Sequence, residues 1–101
     1  MSDNFPQLFS PIKLGNTTLK NRIVSTGHHT YLADREPGPD LIAYHESRAR
    51  GGAGLIVSEI IAVHPSAGFS SKLLSFFDAS AIPAYRHLVE ACHRHDCRIF
   101  A

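Results

Sequence analysis

Two adjacent histidines, His28 and His29, sit in a polar turn, Thr26-Gly27-His28-His29-Thr30-Tyr31, directly after the apolar run Arg22-Ile23-Val24-Ser25. Imidazoles in such a place can ligate a metal, move a proton, or hydrogen-bond a cofactor. Chelation is the most demanding of these. Neighbouring residues of an extended chain point to opposite faces, so the pair shares a metal only if the turn rotates one ring. For either ring alone the plain alternative is a hydrogen-bonded, partly buried side chain. Tyr31 closes the turn and offers a ring and a hydroxyl to a ligand, or else packs as a cover. Glu59 follows a second apolar run, Gly54-Leu55-Ile56-Val57-Ser58, and reads either as a buried acid at a strand tip or as a loop carboxylate. His64 fits either role, whereas His45, His87, His93 and His95 read as surface residues.

The elements that must position these groups can be read in order. Ile12-Lys13-Leu14 and Thr17-Thr18-Leu19 flank Gly15-Asn16, a hairpin signal because both turn residues tolerate positive φ. A strand over 22–25 follows, then a loop through Pro37, Gly38 and Pro39 into a helix over 40–50, with Leu41, Tyr44, His45 and Arg48 on one face. Glu46 and Arg50, four apart, read as a solvated helix pair. The run Gly51-Gly52-Ala53-Gly54 invites a phosphate-loop reading, but it follows a helix and opens a strand, the reverse of that motif. It reads instead as a helix cap and tight turn. A strand over 54–58 leads into a long polar stretch over 59–79, the kind of loop that is usually functional or disordered, in which Phe69, Phe76 and Phe77 either face a ligand or, the preferred reading, pack in the core. A second helix from Ser80 presents Ile82, Tyr85, Leu88, Val89 and Cys92 on one face, and residues 98–101 begin a third strand.

Strands alternating with helices of this size imply right-handed crossovers and a parallel sheet, an α/β fold. Three strands and two helices leave much apolar surface uncovered. The 101 residues therefore read as the N-terminal part of a TIM (β/α)8 barrel domain, with 7–20 a hairpin lid and 21–101 the first βαβαβ units. The alternative is a compact three-stranded unit or one completed by self-association. A formal charge of +1 gives no electrostatic reason to bind nucleic acid, and no apolar run reaches the roughly 20 residues of a membrane helix. The N-terminus carries Asp3 and no basic or apolar leader, which points to a cytoplasmic chain. Cys92 and Cys97 fit no zinc motif and read as reduced thiols.

Three stretches carry a resemblance: Leu8-Phe9-Ser10-Pro11-Ile12-Lys13-Leu14-Gly15, Leu19-Lys20-Asn21-Arg22-Ile23-Val24, and Gly51-Gly52-Ala53-Gly54-Leu55-Ile56-Val57. Together they resemble the opening of the old yellow enzyme family of FMN-dependent oxidoreductases. The Gly-His-His-Thr turn and the Ser-Glu after the second strand are closest to its multidomain branch of 2,4-dienoyl-CoA reductase, trimethylamine dehydrogenase and N-demethylases. The resemblance implies a barrel closed at its N-terminal end by the hairpin, with FMN across the other end. It places Thr26, Gly27, His28 and His29 along the flavin ring, with His29 near flavin O4 and N5, and Ile60 against the flavin where reductases of the family use a small residue. His29 stands where the trimethylamine enzyme has a covalently bonded Cys, which implies non-covalent FMN. Tyr31 aligns with a residue that faces substrate in some members. The implied chemistry is hydride transfer between flavin and a small organic substrate, reducing an activated alkene or oxidatively demethylating an amine, with NAD(P)H as reductant. Proton donor, phosphate site and any iron–sulfur cluster would fall beyond Ala101, and self-association of the full-length protein stays open. Rival readings are a non-catalytic fragment that binds no flavin and a metal-dependent barrel hydrolase using His28 and His29.

Overall fold

In the computed structural model, which describes residues 4–101, the strands and helices run in chain order as β1 (Ile12–Leu14), β2 (Thr17–Leu19), β3 (Val24–Ser25), α1 (Pro39–Arg50), β4 (Leu55–Val57), β5 (Ile61–Ala62), β6 (Leu74–Ser75), α2 (Ile82–His93) and β7 (Arg98–Phe100). The hairpin forms as expected: β1 and β2 pair antiparallel with Leu14 opposite Thr17, and Gly15 takes φ +58 in the connecting turn. Glycine reaches that region without a Cβ penalty. Strands β3, β4 and β7 form a parallel sheet in that order, with Ser25 beside Ile56 and Ile56 beside Ile99.

Strand β3 is shorter than the apolar run suggests. The Arg22 backbone N–H donates to Leu8 O at 2.9 Å and its guanidinium reaches Ser10 Oγ at 3.2 Å, so Arg22 serves the N-terminal segment and not the sheet. Asn21 is buried, donates from Nδ2 to Gly52 O at 2.7 Å, and accepts the Ile23 N–H on Oδ1 at 3.0 Å. The side chain of Asn21 thereby replaces a ladder bond and welds the entry of β3 to the turn before β4.

Helix α1 starts with Pro39 in its first turn, where a missing N–H costs nothing, and Asp40 lies at the positive end of the dipole. Gly51 and Gly52 end it, Gly52 at φ +117, so the glycine run is the helix stop and turn that its order implies. Both helices pack on the sheet through Ala49, Ile56, Leu88, Cys92 and Cys97. Both thiols are free, and burial pushes Cys92 up to about 11 and raises Cys97, which keeps them protonated and unreactive at neutral pH.

Four expectations are corrected here. His45 is not a surface residue: it is 4% exposed, edge-on to the Tyr44 ring at 5.2 Å, with neither ring nitrogen hydrogen-bonded. On the same face Arg48 lies 3.5 Å over the Tyr44 ring. Glu46 does not pair with Arg50 but reaches across to Arg94 at 3.4 Å and His95 at 3.1 Å, and His95 O accepts from Lys20 Nζ at 2.6 Å. His95 is accordingly half-buried and ties the hairpin, α1 and α2 together. Third, Phe69, Phe76 and Phe77 are exposed, Phe69 at 81%, while Leu73 and Leu74 are the buried apolar residues of that stretch.

Fourth, the stretch after β4 is not a plain loop. It pairs β5 with β6 in parallel, caps a short helical turn with His64 Nδ1 accepting from Ser66 N at 3.2 Å, and buries Leu74 with Ala33 and Leu41. Tyr85 of α2 locks it by donating to Ser75 O at 2.7 Å, and burial pushes that phenol up to about 12. Tyr85→Phe is expected to lower stability by about 1–2 kcal/mol, the net value of a buried bond whose acceptor is left unpaired, measured as a shift in urea midpoint. No helix of the described residues is long and apolar enough to cross a membrane.

Candidate functional site at the strand tips

The C-terminal tips of β3 and β4 lie side by side, because the register that sets Ser25 beside Ile56 carries on to set Gly27 beside Ser58. The approach is close: a Cβ on Gly27 would stand 3.0 Å from Ser58 O, tighter than side chains normally tolerate. A side chain at 27 would make Ser58 give way by a few tenths of an ångström, and Thr26, Gly27 and His28 are exposed there.

Beyond Gly27 the chain turns. His29 is half-buried, and its ring stacks on Tyr31 at 4.2 Å with 22° between planes. Tyr31 is 65% exposed and sits at φ +61, a left-handed conformation that a side chain adopts only when its surroundings hold it. Thr30, between them, donates its hydroxyl to Glu59 Oε1 at 2.7 Å and accepts the Leu32 N–H at 3.1 Å. Glu59 is 4% exposed and settles as the buried acid of the two readings, while its neighbour Ile60 is 53% exposed. Three buried polar atoms at these tips have no partner among the described residues: His29 Nε2, Ser58 Oγ and Glu59 Oε2.

The structure thus brings Thr26, Gly27, His29 and Tyr31 next to Ser58, Glu59 and Ile60, while His28 stays on the outside. Thr30 and Ser58 are the residues that sequence reasoning missed. Ser58 carried a signal, as the last residue of an apolar run; Thr30 carried none, being one hydroxyl in a turn. Among the described residues, no group of three or more His, Cys, Asp or Glu gathers closely enough to hold a metal. A mostly apolar cavity of about 730 Å³ lies elsewhere, lined by Phe76, Phe77, Ile82 and Tyr85 among others.

The strand tips suit one edge of a flavin ring. That edge alternates donors and acceptors, and the tips offer exposed backbone at Thr26 and Gly27 with unpaired buried polar atoms at His29 and Ser58. A hairpin followed by sequential parallel strands with helices packed on the sheet, and polar groups collected at the strands' C-terminal ends, defines the N-terminal part of a (β/α)8 barrel. The chain belongs to the NADH:flavin oxidoreductase / NADH oxidase family, whose model matches residues 7–101. It is 37% identical over 95 residues to an NADPH dehydrogenase of Listeria welshimeri, covering 91% of this chain and 28% of that protein. It is 35% identical over 101 residues to the N,N-dimethylglycine/sarcosine dehydrogenase of Chromohalobacter salexigens, covering 94% of this chain and 14% of that one. Among solved structures, morphinone reductase in complex with tetrahydroNAD superposes with a TM-score of 0.81 at 29% identity, over 93% of this chain and 26% of that chain. The chain therefore spans about a quarter or less of these relatives.

Proposed function

We propose that these residues form one wall of an FMN site in an oxidoreductase that passes hydride between the flavin and a small organic substrate. The observation that carries this reading is the buried His29 Nε2, left without a partner beside the Gly27–Ser58 contact. FMN would supply the hydride chemistry; the chain's own part is to bind and orient it. Thr26 and Gly27 present backbone groups to the ring edge, Gly27 keeps that edge free of a side chain, and His29 donates one hydrogen bond from Nε2 and holds the bonded atom out of water. Ile60, exposed at the tips, lies against the flavin, and Tyr31, also exposed, faces the substrate side.

NAD(P)H as reductant is supported by the relatives' names, an NADPH dehydrogenase and a reductase in complex with tetrahydroNAD. The substrate is an activated alkene or an N-methylated amine. His29 and the long segment after β4 favour the amine, together with the likeness to a dimethylglycine/sarcosine dehydrogenase, and with it an iron–sulfur cluster in a further part of the protein. A second reading, a fragment that binds no flavin, is favoured by the exposed apolar side chains of Val24, Ile82 and Phe100 on the sheet and α2.

Titrating the purified chain with FMN separates the two. Saturable quenching of flavin fluorescence is expected, about tenfold weaker in His29→Ala, the value of one buried hydrogen bond. Absence of quenching would confine the chain to the fragment reading, and one tightly held zinc per chain without flavin would turn it to the hydrolase reading.

A further inference from the structure

We propose that Glu59 is a positioning residue that decides, through Thr30, which side of the strand tip presents the His29–Tyr31 pair. The consequence for a cofactor rests on the FMN reading above; the positioning itself does not. Glu59 ends the strand tip of β4, is buried, and receives the Thr30 hydroxyl at 2.7 Å. The same hydroxyl oxygen accepts the Leu32 N–H at 3.1 Å, so both its proton and a lone pair are committed. Thr30 is thus pinned to the β4 side. The chain bends just after it: Tyr31 is left-handed at φ +61, and its ring comes back over His29 with the two centroids 4.2 Å apart.

The far end of the segment is fixed by a different neighbour, the stretch leading into β6. Arg35 N donates to Ser71 O at 2.9 Å, and Arg35 O accepts from Ser75 N at 2.8 Å and Ser75 Oγ at 3.1 Å. Between these anchors lies Tyr31 with its left-handed backbone, a strained conformation for a residue with a side chain, which persists where both flanks are held. Removing the Glu59 anchor frees one flank, so the backbone at Tyr31 relaxes and the ring leaves His29. The unpartnered His29 Nε2 then loses its fixed direction.

The test is the ring-current shift of the His29 imidazole protons under Tyr31, followed by NMR, alongside FMN titration. Glu59→Ala and Thr30→Val are expected to abolish the shift while Leu88 methyl signals in the distant core stay in place; Glu59→Gln, which keeps an acceptor for Thr30, is expected to retain it. FMN binding should weaken at least about tenfold in the first two variants only. Should Glu59→Ala fail to fold, Thr30→Val decides alone, since it keeps both the carboxylate and the side-chain volume. Persistence of the shift in Thr30→Val would overturn the proposal. Loss of the shift together with no FMN binding by the wild type would uphold the positioning role and sink the flavin reading instead.

Discussion

Gly54→Ala is expected to abolish cooperative folding. A Cβ at this buried position would collide with Asn21 Oδ1 and stand 2.9 Å from Asn21 O and 3.3 Å from its Cγ. Asn21 cannot yield at low cost, because its side chain holds Gly52 O and the Ile23 N–H at once. Moving it breaks both bonds at a buried site. Overpacking of a tight core costs about 1–3 kcal/mol and each lost bond about 1 kcal/mol, a sum of roughly 3–5 kcal/mol. Small domains have little more than that in total. Urea unfolding should show the midpoint collapse in Gly54→Ala, against a shift of only about 1 kcal/mol in Gly52→Ala, where the Cβ meets nothing and only the φ of +117 is strained. The Asn21→Ala, Gly54→Ala pair should be less harmful than the sum of its members, since the first removes what the second strikes. A Gly54→Ala protein within about 0.5 kcal/mol of the wild type would show that the weld between the β3 entry and the β4 turn bears no strain.

That weld explains where local sequence signals held and where they stopped. The hairpin at Gly15, the Pro39 start of α1 and its glycine stop follow from residues a few positions apart, and all three form. Strand β3 falls short of its apolar run because Asn21 and Arg22 answer to Gly52 and Leu8, partners the local pattern does not display. The pairing of β5 with β6 joins two-residue strands twelve positions apart, too short for any period to register. Glu46 likewise chose partners 48 and 49 residues away over the neighbour four along, because α2 brings Arg94 and His95 to it. At the candidate site, the strand ending at Gly27 announced a tip where ligands collect, so its place was legible. The stacking of His29 on Tyr31 and the burial of Glu59 were not, for the first needs the left-handed backbone of Tyr31, which no local pattern announces, and the second comes with the Thr30–Glu59 contact between the two tips.

Helix α1 buries His45, and the protein should lose stability on mild acidification because of it. The ring is buried between α1 and its neighbours, has no hydrogen-bond partner on either nitrogen, and lies near the Arg48 guanidinium. Burial first, and the Arg48 charge second, lower its pKa from 6.5 to about 4. The unfolded chain therefore takes up this proton at a higher pH than the folded one. Stability from a neutral His45 is complete above pH 6.5 and drains away as pH falls toward 4, below which both states are protonated and the loss levels off. The loss amounts to at most about 3 kcal/mol, less to the extent that water reaches the ring. His45→Leu keeps an apolar side chain of similar reach and removes the titration. Urea midpoints measured from pH 7 to pH 4 should fall in the wild type and fall clearly less in His45→Leu, while Glu46 and its partners contribute equally to both. Parallel curves for the two proteins would mean that His45 finds an acceptor for its second proton in solution.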